Sequence, residues 1–492
     1  MELPRRVLLI GLDALDHRWL RRWMAEGRLL NLSQFAEQSL SLDVASDGGL
    51  LHGSVWPTFA SGTGPGHHGL YWWTQWIAEE ARYERNSHGV LHYDPFWRQA
   101  ALQGKRTIVV DVPYVPPVRD GHTWTALGWG LHDEVAPISY PGAFLPAIRK
   151  RYGDHPLRMD TMHSMDPAEK RKMADQMRRG VEMRARLVSD FASRQDWELL
   201  IVTFSEFHKA GHYLAADEQL GDGLTNEDAI LSVLEPFDRA LPEIVERAGP
   251  HCDVAIFALH GIEPQVEYSR IAAQFAALVD GRDVEAATPA PDLLRRLRDL
   301  MPPQLQQAIW YLFPPSVRAR RYAQTVAQGL DGDERLFHVA HDGAVALRVN
   351  LAGRERDGTI TPEERHALLS RTAEVAGTMV TSEGLPAFDP LVRMDERYPG
   401  PRAHRLPDAL VPANPAVFSA DDVRAPDGPI LRNPQPEARN GVHSSEGFCL
   451  YRPGAKAEAL RGSINALDFA PTVLARLGVT APNDFQGASF LG

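Results

Sequence analysis

Four continuous apolar runs divide the first half of the chain. They are RVLLIGLD (6–13), TIVVDVP (107–113), WELLIVTF (197–204) and CDVAIFAL (252–259). Apolar runs of this length, without alternating polar residues, are typical of strands that are buried on both faces of a parallel sheet. Helical patterns lie between them, notably at 17–27, 167–193 and 228–247. The alternation predicts an α/β fold with a largely parallel sheet, in which ligands bind at the carboxyl ends of the strands.

The bulk composition is typical of a large folded protein and argues against a general nucleic-acid binder. The 492 residues are 44% hydrophobic and 24% charged, and the net charge is -12. Such an acidic balance argues against a nucleic-acid polymer as partner, because binding phosphates needs lysine and arginine. Residues 285–340 differ, since they are helical, basic and punctuated by proline. We therefore predict a first part of the core at 1–284, a helical cap or insertion at 285–340, and a second part of the core at 341–492.

The chain carries no sequence sign of export or membrane insertion. Cys252 and Cys449 are its two cysteines, so a disulfide framework is excluded, although one bridge is arithmetically allowed. The N-terminal apolar run meets Asp13 at once and is interpreted as a buried strand, not a signal peptide. The apolar stretches are shorter than the roughly 18 residues of a transmembrane helix. We expect a cytoplasmic protein without a membrane partner, and a homodimer is compatible with the sequence.

Polar residues follow the ends of the predicted strands. They are Asp13, Glu206, His208, His212 and His260, and His443 lies in a further turn beside glycine. His208 and His212 are four residues apart, so on a helix both imidazoles face the same side and suit zinc or manganese. Each residue also has an ordinary interpretation. The histidine pair is compatible with a helix surface, Asp13 with a helix N-cap, and His260 with a hydrogen-bonded core histidine.

The segment HGSVWPTFASGTGPGHHG, residues 52–69, offers a hydroxyl near a predicted helix start. Ser54 is expected to cap the helix that Pro57 helps to begin. A helix N-terminus also presents free N–H groups and the positive end of a dipole, which together bind anions. Ser54 is therefore placed both to cap and to attack a bound phosphate or sulfate. We interpret His67 and His68 as structural residues of the turn that ends at Gly69.

Six segments in order resemble the alkaline phosphatase superfamily, and specifically its nucleotide pyrophosphatase/phosphodiesterase branch. They are VLLIGLDALD, SVWPTFASGTGPGHHG, HKAGH, FALHGIEP, GVHSSEGFCLYRPG and NALDFAPTVLARLGVTAPNDFQGASFL. The resemblance implies an alkaline-phosphatase-like three-layer α/β sandwich with two metal ions, commonly zinc, about 4 Å apart. Carried over by position, one site would use Asp13, Ser54 and His260, and the other His208, His212 and His443. Ser54 would attack phosphorus and form a covalent seryl intermediate, which water then hydrolyses.

The sequence departs from the family pattern at two metal ligands. His208 stands where the family has an aspartate, which makes that site three neutral imidazoles. Leu259 stands where the family has the aspartate of its D-H-G motif. Fewer anionic ligands should weaken the binding of a divalent cation. Glu206, two residues before His208, could replace the missing carboxylate or could equally cap a local helix, and Asp133, in GWGLHD, is another candidate.

The nucleophile position also has alternatives. A gap-free match to the closing P-x-x-H-G places His52 there, whereas a two-residue deletion places Ser54 there. Thr58, directly after Pro57, is a third choice. We prefer Ser54, because histidine would not form the usual ester-type intermediate.

These observations predict a metal-dependent hydrolase of a phosphodiester or nucleotide pyrophosphate bond, acting on a small anionic substrate that contains phosphate. Zinc is the expected ion, one or two per chain, with manganese as the alternative. One rival is a phospho- or sulfo-group transferase, or a monoester or sulfate hydrolase, with 285–340 as a lid. Another is a catalytically weakened anion-binding protein with an incomplete metal site, suggested by Leu259. Four tryptophans offer flat apolar surfaces to a nucleobase, although core packing is the commoner use: Trp72, Trp73, Trp76 and Trp97.

Overall fold

A computed structural model gives the architecture of most of the chain. It describes residues 5–86, 91–131, 136–157, 165–194, 196–264, 271–285, 334–341, 343–417, 422–425, 428–432, 439–455 and 457–492, with a few single positions between 287 and 313. Most of the helical cap predicted at 285–340, and Asp133, lie outside the described residues.

Strands and helices alternate through the first half of the described chain. The strands are β1 (Arg6–Leu12), β2 (Leu40–Ala45), β3 (Thr74–Ile77), β4 (Arg82–Arg85), β5 (Thr107–Val110), β6 (Thr123–Leu127), β7 (Ile138–Tyr140), β8 (Leu199–Phe204), β9 (Gln219–Gly221), β10 (Leu224–Thr225), β11 (Cys252–Ala258), β12 (Ile262–Pro264), β13 (Leu336–His338), β14 (Ala344–Val349), β15 (Val392–Arg393), β16 (Ala409–Pro412), β17 (Val423–Arg424), β18 (Ile430–Leu431), β19 (Gly441–His443), β20 (Glu446–Arg452) and β21 (Ser463–Asn465). The α-helices are α1 (His17–Ala25), α2 (Leu30–Glu37), α3 (Gly48–Ser61), α4 (Pro65–His68), α5 (Phe96–Leu102), α6 (Phe144–Tyr152), α7 (Pro167–Ala192), α8 (Glu206–Leu214), α9 (Asn226–Ala248), α10 (Ala272–Asp280), α11 (Pro362–Thr378), α12 (Met394–Arg397) and α13 (Phe469–Arg476). Short 3₁₀ turns occur at Ala403–Arg405 and Ala466–Asp468.

The four apolar runs form the centre of one large sheet. Its strand order in the described chain is β21-β2-β20-β11-β1-β8-β5-β6-β7. The central pairs β11–β1, β1–β8, β8–β5 and β5–β6 are parallel, while β20 and β7 run antiparallel to their neighbours. The prediction of a largely parallel sheet built on these runs is confirmed.

The sheet is covered by helices on both faces. Along β1, Leu8 and Ile10 pack into one hydrophobic core and Val7 and Leu9 into the other, because successive side chains of a strand point to opposite faces. The first core includes buried residues of α1, α2, α7 and α9. The second includes buried residues of α3, α5 and α13. This is the three-layer sandwich that the resemblance implies.

A second, smaller unit has its own sheet and core. Its four strands have the order β13-β14-β16-β15 and pair antiparallel. Buried residues of α10, β13, β14 and α11 share one hydrophobic core. This unit takes elements from all three of the predicted ranges. The division at 285 and 340 stays a prediction.

The amphipathic sequence INALDFAPTVLARLGV, residues 464–479, predicts a single helix, but the structure of this segment differs. Residues 463–465 instead form β21, which pairs in parallel with β2. Asn465 then caps a 3₁₀ turn by accepting from the Leu467 amide, and Asp468 returns a bond to the Asn465 amide. The α-helix therefore begins only at Phe469. Gly478 follows it with a φ of +68°, a left-handed conformation that favours glycine.

Two other expectations concern cysteine and the membrane. Cys252 and Cys449 are both buried and free, so the arithmetically allowed bridge is not formed. Among the described helices, none combines the length and the apolar character that crossing a bilayer requires.

A buried ion network holds the smaller unit together. The carboxylate of Asp408 accepts from Arg354 Nη1 at 2.9 Å, from Arg365 Nε at 2.6 Å and from the Val349 amide at 2.7 Å. Burial alone would raise the pKa of Asp408, but the neighbouring Arg354, Arg348 and Arg365 hold it well below the ordinary value. The folded state therefore strongly favours the ionised carboxylate.

We expect Asp408→Asn to lower the free energy of unfolding by about 3–5 kcal/mol, the usual cost of leaving buried charges unpaired. Because the pKa is lowered in the folded state, this stabilisation is present above the unfolded pKa of about 3.9 and is lost as the pH falls towards the folded value. Urea denaturation at neutral and acidic pH measures both effects. Asp395→Asn is the matched control, since Asp395 pairs with Arg365 at 3.0 Å with its side chain 46% exposed. Equal losses in the two variants would contradict the prediction.

Candidate active site at the carboxyl edge of the sheet

The three central strands bring distant residues to one edge. Asp13 directly follows β1, α8 begins two residues after β8, and His260 follows β11 by two residues. Since β1 pairs in parallel with both β8 and β11, these ends lie side by side. The short pair β12–β19, in register at Ile262 and His443, adds His443 to the same edge.

The two histidines of α8 face each other. Their ring centroids are 4.7 Å apart and their Nε2 atoms 3.0 Å apart. His212 Nδ1 lies 2.8 Å from the carbonyl oxygen of Gly441. The helical spacing of four residues thus places both imidazoles on one side, as predicted from the sequence.

His443 completes a cluster of rings. Its ring centroid lies 4.8 Å from those of His208, His212 and His260. Both of its ring nitrogens are buried without a hydrogen-bond partner among the described residues. Burial, together with the neighbouring histidines, lowers the pKa of His443 well below the ordinary value. The side chain is therefore a neutral imidazole, which is the form that binds metal.

Asp13 is the carboxylate of the cluster and is almost completely buried. Its Oδ1 accepts from Trp56 Nε1 at 2.8 Å, and its Oδ2 lies 3.1 Å from His208 Nδ1. His260 Nε2 lies 3.7 Å from Oδ1. The other ring nitrogen of His260 lies 3.2 Å from the Gly261 carbonyl oxygen.

These side chains form two overlapping groups that fit a metal ion. One is His208, His212 and His443, and the other is Asp13, His208 and His260. Within each group, the ligand atoms lie within 4.8 Å of one another, and all the residues are buried. Imidazole nitrogens with a carboxylate suit zinc and other borderline divalent cations. The donor set therefore fits the ion that the resemblance implies.

Ser54 is placed differently from the sequence expectation. It is completely buried, and its Oγ donates to the Leu51 carbonyl oxygen at 2.7 Å. Ser54 is also not an N-cap, because the break in helical geometry lies three residues earlier, at Leu51 (φ -140°, ψ 62°), so the helical segment that follows has already begun before Ser54. No described contact joins its hydroxyl to the histidine cluster.

His52 is the residue of this segment that meets the cluster. Its half-buried ring stacks on His443, with centroids 4.3 Å apart and planes at 17°. Its ring centroid also lies 4.1 Å from that of Trp72, and the two ring planes are at 87°. The structure thus brings to the site the residue that the gap-free match places at the nucleophile position.

Two glycines allow α3 to lie this close. A Cβ on Gly48 would stand 2.5 Å from the Ser444 carbonyl oxygen and 2.6 Å from His260 Cβ. A Cβ on Gly53 would stand 2.6 Å from Trp72 Cα. Any larger residue would push the segment away from the cluster.

Glu206 does not join the cluster, although it is two residues from His208. Its Oε1 lies 3.1 Å from Arg184 Nε and 2.9 Å from His155 Nε2. Burial would raise the pKa of Glu206, but Arg184 and His155 lower it below the ordinary value. Arg184 is itself fully buried and donates to Asp111 at 2.8 Å. No local sequence pattern marks this cation, because its partners lie 73 and 22 residues away along the chain.

The other sequence candidates have structural roles. Thr58 Oγ1 lies 3.1 Å from His68 Nε2, and burial with the nearby Arg402 lowers the pKa of His68 to about 3. His68 belongs to α4, which ends at Gly69 as the predicted turn requires. Leu259 packs in the hydrophobic core on the α3 side of the sheet.

The tryptophans are mostly core residues. Trp97 is completely buried, and Trp76 donates from Nε1 to Glu355 at 2.7 Å. Trp73, which is half-buried, has the guanidinium of Arg85 over its ring at 5.3 Å. Trp72 alone among the four borders His52 in the described contacts. Nucleobase stacking on Trp76 or Trp97 would require the core to open.

Comparison with known proteins identifies the family of the chain. The family model described as type I phosphodiesterase / nucleotide pyrophosphatase matches residues 7–444. A comparison with curated proteins returned no match.

Solved structures of low identity share the fold. Murine ectonucleotide pyrophosphatase/phosphodiesterase 5, an inactive form in complex with AMP, is 10% identical with a TM-score of 0.51, and the match covers 97% of this chain and 96% of that one. Phosphonoacetate hydrolase from Sinorhizobium meliloti 1021, in complex with phosphonoformate, is 14% identical with a TM-score of 0.53 and 97% of each chain covered. Wild-type alkaline phosphatase PafA is 12% identical with a TM-score of 0.54, over 99% and 98% of the two chains. At these identities the likeness establishes the fold.

Substitution of Glu206 can show whether this carboxylate stabilises the fold by pairing with Arg184 or binds a metal ion. We expect Glu206→Gln to lower the free energy of unfolding by on the order of 3 kcal/mol, because it removes one of the carboxylates that neutralise Arg184. Bound metal should be unchanged. His212→Gln should behave in the opposite way, losing metal while the Arg184 pairing stays intact. Denaturation curves and elemental analysis of both proteins provide the measurements. Loss of metal from Glu206→Gln at unchanged stability would identify Glu206 as a ligand instead.

Proposed function

The chain belongs to the type I phosphodiesterase / nucleotide pyrophosphatase family and is a phosphoric ester hydrolase. We propose that it cleaves a phosphodiester or nucleotide pyrophosphate bond and that a divalent cation assists the reaction. The observation that carries the proposal is the convergence of five buried residues from separate segments at the carboxyl edge of the sheet. They are Asp13, His208, His212, His260 and His443. In open α/β sheets this edge is where ligands bind.

The charge balance of the cluster favours a small anionic substrate. A divalent cation would face one carboxylate, Asp13, and otherwise neutral imidazoles. Its charge is therefore only partly compensated and attracts a phosphate group. Two solved neighbours hold small phosphorus-containing anions, namely AMP and phosphonoformate. When bound, the cation would neutralise charge on the phosphoryl oxygens and so favour attack at phosphorus.

His52 is the side chain that we place against the phosphoryl group. It is half-buried and stacks on His443, so it reaches the cluster without any rearrangement. A ring nitrogen of His52 would attack phosphorus while the leaving oxygen departs with the bonding electrons. Water then cleaves the phosphorus–nitrogen bond and returns the imidazole. The seryl intermediate expected from the sequence would instead require Ser54 Oγ to leave the Leu51 carbonyl and turn out of a fully buried position.

The assignment is tested first by hydrolysis itself. The stripped protein is supplied with zinc or manganese and assayed on a chromogenic phosphodiester, a nucleotide pyrophosphate, a phosphate monoester and a sulfate ester. We expect turnover of the first two substrates that a chelator abolishes, with His212→Ala as the inactive control. Absence of turnover above that control, across metals and ester classes, would refute the hydrolase.

A second candidate function follows from two features of the site. Leu259 stands in place of the family aspartate, and the Ser54 hydroxyl is buried and bonded to the Leu51 carbonyl oxygen. The chain would then be a weakened anion-binding protein. Calorimetric binding of AMP without any turnover would favour this function over hydrolysis.

The nucleophile is tested by a pair of variants two residues apart. We expect Ser54→Ala to keep kcat/KM within a few-fold, because the variant loses only a buried hydrogen bond worth about 1 kcal/mol of stability. His52→Ala should lose on the order of 10⁴–10⁶-fold in kcat/KM, because removing the nucleophile closes the covalent route. An acid-labile phosphorylated enzyme, trapped with labelled substrate, would support His52. Loss of activity in Ser54→Ala with an acid-stable adduct would restore the seryl mechanism.

A further inference from the structure

The hydrogen bonds of the histidines determine which nitrogens can bind a cation. The Gly441 carbonyl, 2.8 Å from His212 Nδ1, can only accept, so Nδ1 carries the hydrogen. The lone pair of His212 is therefore on Nε2. The same reasoning holds for His208, whose Nδ1 lies 3.1 Å from the Asp13 carboxylate.

These two lone pairs point at each other. The Nε2 atoms of His208 and His212 are 3.0 Å apart, a distance at which two lone pairs repel unless a positive charge lies between or beside them. The third ring, His443, has buried nitrogens without a hydrogen-bond partner among the described residues. Three buried imidazoles thus converge, and their ligand nitrogens lie within 4.8 Å of one another. A divalent cation satisfies this arrangement.

The second group cannot hold an ion at the same time. While His208 donates from Nδ1 to Asp13, it has no lone pair on that side. Each Asp13 oxygen already has one hydrogen-bond contact, Oδ1 with Trp56 and Oδ2 with His208, which leaves each oxygen one further lone pair. Leu259 supplies no ligand, and Ser54 bonds its own helix. Among the residues that the structure describes, Asp13 and His260 then remain, fewer than the three protein ligands of a typical catalytic zinc site.

We infer that this chain binds one divalent ion, through His208, His212 and His443, and that Asp13 is an outer carboxylate that orients His208 instead of a ligand to a second ion. Carboxylates commonly hold metal-binding histidines in this way and fix the ring tautomer. The inference deepens the proposed metal-dependent function and replaces the two-ion centre that the resemblance implies.

Metal stoichiometry tests the inference without any assay of activity. The full-length protein is stripped with a chelator, then titrated with Zn²⁺ by calorimetry, and the dialysed product is analysed for metal. We expect one ion per chain in the natural protein and none in His443→Ala. Asp13→Asn should weaken the affinity about 10–100-fold at an unchanged stoichiometry of one. His260→Ala should keep both the stoichiometry and the affinity.

Further controls separate a ligand from a folding effect. Trp56→Phe removes the other hydrogen bond to Asp13 and should leave one ion bound, and circular dichroism checks that each variant folds. Co²⁺ absorption should show one type of site that persists in His260→Ala. Two ions in the natural protein, or a fall from two to one in Asp13→Asn or His260→Ala, would overturn the inference, as would failure of the natural protein to bind Zn²⁺. A chain that binds one ion but hydrolyses no ester would instead refute the proposed function alone.

Discussion

The parallel pairing of β1 with its two neighbours is the constraint on which the candidate site depends. Leu12 stands opposite Phe204 and Gly11 opposite Phe257, so the three strands end together at one edge. A shift of one residue in this register would turn Asp13 to the other face of the sheet. Asp13 would then lose both His208 and the indole of Trp56. The contacts that tie the cluster to the core are therefore a consequence of how the first strand pairs.

Neutral ligands change the electrostatics of this edge. His208 stands where the related pattern has a carboxylate, and the nearby carboxylate of Glu206 is paired with Arg184. Asp13 is thus the one carboxylate among the residues of the two candidate ligand groups. Because fewer negative ligands would surround a cation held there, the cation would be bound less tightly. Less of its positive charge would be compensated, so it would attract an anion more strongly. The weaker binding of a cation and the proposed preference for an anionic substrate would then both follow from the same substitution.

The sequence predicted what depends on periodicity and motif order. The apolar runs predicted the central strands, and ordered motifs predicted the neighbourhood of Asp13, His208, His212, His260 and His443. What local motifs could not predict depends on partners far along the chain: Glu206 pairs with Arg184, on a helix that begins almost forty residues earlier. The direction of Ser54 depends on the break at Leu51, which no local motif marks. The expected cytoplasmic location, the homodimer and the domain division remain predictions.

Helix geometry explains why His52 and Ser54 cannot both serve the cluster. Successive residues of an α-helix turn by about 100°, so side chains two positions apart point in nearly opposite directions. Gly53, between them, lies against the backbone of Trp72, and this contact sets the rotation of the segment. The ring of His52 then meets His443, and the hydroxyl of Ser54 turns back to Leu51. A hydroxyl could act here only if the segment rotated by about half a turn, which the tight approach of Gly48 to His260 opposes. The packing of two glycines thus favours an imidazole as the group that meets the phosphate.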